Sequence, residues 1–290
     1  MTIQLTRRGF GLLGLSTPFL TLTGTGLAAT HGYVNPDLLA APQELADRSG
    51  LVLVDVRKAE EYAGGHIPGA VQLDPDAVAS GHSPVTGALK QISEIERLLG
   101  GLGITATKRV VFYDDRGGFH AARMLWLLEY LGHRNVAVLN GGLKAWRETG
   151  LALSTETATN PATIFASASS PRRIATAEDV LEQHLEPESV LIDVRPEKLY
   201  SEGHIPWAVN IPWAGNLDRN ARFLAAPDLR AHFAEFGVSE DRKIIMHCQT
   251  GLASSHSYVA LRLLGFPRVQ VYHRSWAEWG NDPDLPKATG

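Results

Sequence analysis

The segment LVLVDVRKAEEYAGGHIPGAVQLD, residues 51–74, returns as VLIDVRPEKLYSEGHIPWAVNIP at residues 190–212. Asp55, Arg57, Tyr62, His66 and Pro68 match Asp193, Arg195, Tyr200, His204 and Pro206 at one constant interval. A second pair follows, VVFYDDRGGFHAARMLWLLEYLG and IIMHCQTGLASSHSYVALRLLG, and Trp146 then matches Trp279. The chain therefore holds one unit twice, each copy of about 120 residues, an ordinary domain size. With 290 residues, 44% of them hydrophobic, both copies can build a core. Short apolar runs at Leu51–Val54, Val110–Tyr113, Val190–Ile192 and Ile244–Met246 suit buried parallel strands. Helical patterns follow at Ala122–Tyr130 and Ser255–Leu264, each closing on a Leu-Gly pair. Strands alternating with helices predict an α/β class, a parallel sheet flanked by helices in each of two tandem units. The expected bounds are 35–150 and 171–290. Residues 151–170, rich in Ser, Thr, Ala and Pro, are read as a linker.

The first 29 residues stand apart. Arg7 and Arg8 precede an uncharged apolar run from Phe10 to about Leu27, and small residues end at Ala28 and Ala29. That is the charged, apolar and cleavage-site order of a signal peptide. The TRRGF core resembles a twin-arginine signal, although Gly11 and Leu12 stand where Leu and Lys are common. Export machinery is thus an expected partner, and a periplasmic or secreted location follows. An uncleaved anchor is the alternative, weakened by the glycines and threonines in the run. Gly9, Gly11 and Gly14 fit the spacing of a dinucleotide fingerprint, but no strand precedes them. The net charge of −4 gives no footprint for nucleic acid. One cysteine excludes an internal disulfide and a Cys-based zinc site, and no metal or cofactor is expected.

That cysteine, Cys248, lies in His247-Cys248-Gln249-Thr250-Gly251-Leu252-Ala253-Ser254-Ser255, between an apolar strand and a helix expected near Ser254. Backbone N–H groups of such a loop curl toward its centre, and a helix N-terminus favours an anion. That setting favours thiolate, the nucleophilic form, without a separate general base. Gly251 permits dihedrals closed to other residues. A buried inert cysteine is the plain alternative. The polar neighbours Gln249, Thr250 and Ser254 speak against it. The loop is nearly that of a cysteine phosphatase, which needs an arginine six places on to grip phosphate. Ser254 stands there instead.

Taken together, D-V-R, E-x-x-Y or K-L-Y, G-H-I-P-[GW]-A and the late Ser275-Trp276 or L-K-A-W segment resemble the rhodanese family of sulfurtransferases, from about residue 35 to 285. The resemblance implies a live C-terminal copy and an inactive N-terminal one, with Cys248 aligned on Asp115. It implies a persulfide on Cys248, loaded from a small anionic donor and discharged to a thiophilic acceptor such as cyanide, a thiol or a protein. Arg195 is then expected to meet substrate, with Gln249, Thr250, Gly251, Leu252, Ala253 and Ser254 forming the cradle. Asp193 and His204 recur in the inactive copy as Asp55 and His66, so both are read as structural.

The donor is less constrained. Thiosulfate-using members carry cations in the loop, whereas mercaptopyruvate-using members have a neutral loop with a hydroxyl two places after Cys. Here the loop is neutral, with Thr250 at that place. Arg274 stands where the family has glycine, and His273 where it has aspartate, which predicts that Arg274 restores part of the missing charge. Export favours thiosulfate. Mercaptopyruvate transfer is the alternative. A non-catalytic persulfide carrier and a rhodanese-like phosphatase are weaker ones. Asp114, Asp115 and Arg116 of the inactive loop are read as turn residues rather than metal ligands.

Overall fold

The computed structural model describes residues 32–45 and 50–290. The signal-like segment lies outside these described residues.

In the first unit the strands are β1 (Leu39–Ala40), β2 (Leu51–Asp55), β3 (Val71–Gln72), β4 (Arg109–Tyr113) and β5 (Val136–Leu139). Its helices are α1 (Ala59–Ala63), α2 (Ile92–Gly101), α3 (Phe119–Tyr130) and α4 (Gly142–Glu148). The second unit adds β6 (Ser189–Asp193), β7 (Val209–Asn210), β8 (Lys243–His247) and β9 (Val269–Val271). Its helices are α5 (Ala177–Gln183), α6 (Glu197–Glu202), α7 (Ala226–Ala234), α8 (Leu252–Leu263) and α9 (Ser275–Trp279). The sheet orders are β1-β5-β4-β2-β3 and β7-β6-β8-β9, parallel throughout. These are the two parallel-sheet α/β units that the repeat predicts.

The strands read as unbroken apolar runs because both faces of each sheet are covered. Val52, Val54, Val110 and Phe112 face inward with Val190, Ile192, Ile244 and Met246, in one apolar cluster that passes through both units. Leu53, Val111 and Tyr113 face a separate outer cluster, as do Leu191 and Ile245 in the second unit. Between the sheets α3 packs along α8. Residues 121–128 of α3 and 253–261 of α8 are buried almost without a break, as expected of helices enclosed on every side. Both helices start three residues earlier than the apolar pattern suggests, at Phe119 and Leu252. Their first turns follow a left-handed glycine, Gly118 or Gly251, and periodicity does not register such a turn.

The units are laced together beyond this core. Glu129 of α3 pairs with Arg262 of α8 at 3.2 Å and accepts a hydrogen bond from the Tyr258 hydroxyl. The Val34 and Asn35 N–H groups donate to Leu263 O before the chain enters β1 of the other unit. The connector is laid onto the first unit: Thr163 N donates to Gly100 O, Ala168 N to Leu131 O, and Phe165 is buried. The repeated histidines each pin their unit's tail. His66 exchanges backbone hydrogen bonds with Ser154 and His204 with Ala288.

A shared core predicts one unfolding transition. Far-ultraviolet circular dichroism and tryptophan fluorescence are expected to give coincident urea curves. Glu129→Ala strands a largely buried guanidinium and removes the Tyr258 partner, so it is expected to lower the stability of both units together by about 2–4 kcal/mol.

Candidate active site

Cys248 follows β8, and β6 lies beside it with Asp193 paired to His247 in register. From β6 the chain moves outward to β7, and from β8 it moves the other way to β9. The loop therefore opens where the strand order reverses, the usual ligand position in such sheets. Cys248 is 3% exposed. Gly251 N donates to its Sγ at 3.1 Å and Ser254 Oγ to the same atom at 3.7 Å. Gly251 has φ 88°, ψ −3° and caps α8, so the helix N-terminus points at the sulfur.

The first copy, which has no cysteine, shows what this loop can hold. Asp55 is in register with Tyr113 as Asp193 is with His247, so Asp114, not Asp115, takes the cysteine's place. The alignment on Asp115 is corrected by the strand register, because the first loop carries one more residue before its capping Gly118. The Asp114 carboxylate accepts N–H bonds from Arg116 (2.9 Å), Gly118 (2.9 Å), His120 (2.7 Å) and Ala121 (3.0 Å). The same strand–loop–helix thus holds a built-in carboxylate in one copy and a cysteine sulfur in the other. A loop that satisfies a carboxylate with four donors is an anion cradle.

A further pairing sets the cysteine's backbone. Leu143 N donates to Asp114 O, and Trp276 N donates to Cys248 O. The residues before these donors are Gly142 (φ 55°) and Ser275 (φ 54°). Glycine takes that conformation freely, whereas a side chain there costs about 1 kcal/mol or more. Ser275 uses its side chain: its Oγ accepts from Cys248 N at 3.1 Å and donates to Tyr272 O at 2.7 Å. Strain in the active copy is coupled to a hydrogen bond on the cysteine. Ser275 had appeared in the sequence only as part of a motif. The sign of its backbone φ is a property of the folded chain.

The other expected residues sort by contact. Arg195 is tied into its own unit. It donates through Nε and Nη2 to Asp193 at 2.6–3.0 Å and through Nη2 to Gly203 O, over the Trp276 ring. Arg57 makes the same set with Asp55 and Gly65 O in the copy without cysteine, so the pair holds the strand end in both. Asp193 Oδ1 also accepts Arg195 N. His204 stacks on Tyr200 with Nδ1 2.9 Å from Tyr200 O, as His66 does on Tyr62. Gln249 is exposed, and its carbonyl accepts Ala277 N. Thr250 packs against Gly87 of the first unit, where a Cβ would lie 2.6 Å from Thr250 O. Leu252 is half-buried, while Ala253 and Ser254 are buried. Arg274, 42% exposed, pairs with Glu278 at 2.9 Å rather than with the loop.

Three histidines crowd the loop as neutral rings. Burial lowers His256 to about 4 and His273 to about 3, and it lowers His247 as well. His256 Nε2 lies 3.1 Å from Gly117 O of the first unit. Arg123, which sequence reasoning passed over inside an apolar helix, also reaches here from α3. Its Nη1 donates to Gly251 O at 3.2 Å and its Nη2 to Gly87 O at 3.0 Å.

The rhodanese-like domain model matches residues 39–149 and again 176–282. The chain belongs to the rhodanese family. Relatives of this chain include the thiosulfate sulfurtransferase of Pseudomonas aeruginosa, 35% identical over 86% of this chain and 96% of that one. A sulfur carrier protein of Thermus thermophilus is 34% identical over 89% and 99%. The crystal structure of SseA from Escherichia coli, described as a 3-mercaptopyruvate sulfotransferase, aligns with TM-score 0.76 at 30% identity, covering 83% of this chain and 99% of that one.

Two outcomes follow from this geometry. Ser275→Ala keeps the strained φ but loses both hydrogen bonds, and is expected to slow Cys248 alkylation. Ser275→Gly loses the same bonds without the strain, and is expected to be about 1 kcal/mol more stable than Ser275→Ala by thermal unfolding. The second concerns acid. Unfolded histidine titrates near 6.5. Between about pH 6.5 and 4 the unfolded chain therefore takes up protons that His256 and His273 refuse when folded. Stability is expected to fall as pH drops through that window, by up to about 1.4 kcal/mol per pH unit for each. Urea titrations of wild type and His273→Asn check this, the variant giving the shallower slope.

Proposed function

We infer that this chain is a sulfurtransferase that moves a sulfane sulfur through a Cys248 persulfide, with thiosulfate or a related inorganic donor as its source. The observation that carries this is the Cys248 sulfur seated in a loop whose twin holds a carboxylate by four backbone N–H bonds. The Cys248 thiolate attacks the outer sulfur of thiosulfate. The S–S bond of the donor breaks, its electron pair leaves with sulfite, and Cys248 carries S–S⁻. An acceptor such as cyanide or a thiolate then attacks the terminal sulfur, leaving as thiocyanate or a new persulfide and restoring the thiolate. Charge and atoms balance in both halves, and no base or metal is needed. The cradle supports the anion in each resting state.

The thiosulfate assignment is supported by the signal-like first 29 residues, whose pattern favours twin-arginine export to a periplasmic or secreted setting. The neutral Gln249-Thr250 loop favours the second reading, mercaptopyruvate as donor with pyruvate leaving. A phosphatase lacks support, since Ser254 stands where an arginine must grip phosphate.

Intact mass of the purified chain after excess thiosulfate, mercaptopyruvate or neither tests this directly. Wild type is expected to gain one sulfur atom that cyanide removes, and Cys248→Ser none. Faster loading by mercaptopyruvate would move the donor assignment to that compound. No gain from either, with native circular dichroism, would overturn sulfur transfer from small donors.

A further inference from the structure

The inactive unit supplies the charge that the cysteine loop lacks. We propose that Arg123, on α3 of the N-terminal unit, is the positive charge that supports the Cys248 anion and holds its loop in shape, so that the active site is completed only by the two units together. This deepens the sulfurtransferase reading and rests on it.

The cations around the loop can be taken in turn. Arg195 on the β6 end is bound to Asp193, and Arg274 before α9 is paired with Glu278. His247 at the end of β8, His256 on α8 and His273 before α9 are held neutral by burial. Arg123 differs from all of these. It is 4% exposed, and no ion pair to a carboxylate engages it among the described residues. Its two terminal nitrogens bridge Gly251 O and Gly87 O, and the guanidinium lies over the Trp126 ring at 4.8 Å.

Gly251 is the same residue whose N–H donates to Cys248 Sγ. Its lack of a side chain is what admits the arginine, since a Cβ there would fall 2.4 Å from Arg123 Nη1. One peptide residue thus faces the guanidinium with its carbonyl and the sulfur with its N–H. A cation enclosed without an anion is strongly disfavoured unless one is supplied. The thiolate, and then the persulfide, supply it in the resting enzyme. Burial lowers the Arg123 pKa to about 10 and the Cys248 sulfur acts in the opposite direction, so the guanidinium stays charged at neutral pH. As its contacts are with the loop backbone, Arg123 acts as a positioning residue.

The test is the pH profile of Cys248 alkylation by iodoacetamide in the full chain, for wild type, Arg123→Met and Arg123→Lys. Arg123→Met is expected to react about 10-fold slower than wild type at pH 7, yet within about twofold at pH 10. Arg123→Lys, which keeps charge but not the fork, is expected to keep the wild-type ratio of the two rates. A merely structural arginine would slow both variants equally at both pH values, and that result overturns the proposal, as does a wild-type profile in Arg123→Met. If Arg123→Met does not fold, the lysine variant decides: an unchanged ratio supports the role of charge, and a ratio shifted about 10-fold with native circular dichroism overturns it. Alkylation needs no sulfur donor. A wild type that alkylates normally but takes up no sulfur would refute the sulfur-transfer reading while leaving this one measured.

Discussion

Everything at the active site depends on α3 and α8 being packed against each other. Each helix starts directly after an anion-holding loop, so packing them side by side brings both loops toward one seam. The apolar surfaces that drive this packing belong to a single cluster, and burying it is the main favourable term in joining the units. The interface also brings polar groups into the interior: Glu129 with Arg262 and Tyr258, His256 with Gly117, Arg123 with Gly251. Buried polar groups of this kind must be matched across the seam, which fixes the relative position of the two units more tightly than apolar contact does.

Duplication let the two copies diverge around one backbone design. Both keep the strand-end Asp–Arg pair, the histidine stacked on tyrosine and the tryptophan that anchors the tail, through Trp146 Nε1 to Ala152 O and Trp279 Nε1 to Pro286 O. These features maintain the unit and say nothing about chemistry. The copies differ at the loop. One fills its cradle with Asp114, whose carboxylate is satisfied by backbone N–H groups, and has Gly142 at the left-handed position. The other places Cys248 there and accepts a left-handed Ser275 to orient it. The contrast isolates the reactive part of the fold to a few residues.

Much of this was legible beforehand. The repeat, the parallel α/β units and the cysteine loop follow from apolar runs, glycine positions and the single cysteine. The repeat also identified Asp193 and His204 as structural, and their contacts match those of Asp55 and His66. The same comparison applies to Arg195, since Arg57 occurs in the copy that has no cysteine. Arg195 closes a bidentate pair with a buried aspartate two residues away on its own chain. The alignment on Asp115 fails because an inserted residue in a loop leaves no trace in apolar spacing.

The sequence by itself determined the unit, its doubling and the nucleophile, because periodicity and residue type are local properties that each copy displays twice. Only the tertiary structure decided which cation reaches the cysteine loop. Arg123 lies more than one hundred residues from Cys248 and sits inside an apolar helix, where a sequence reader sees an interruption. It becomes part of the site because helix packing carries it across the domain boundary, and electrostatic attraction depends on distance in space rather than along the chain.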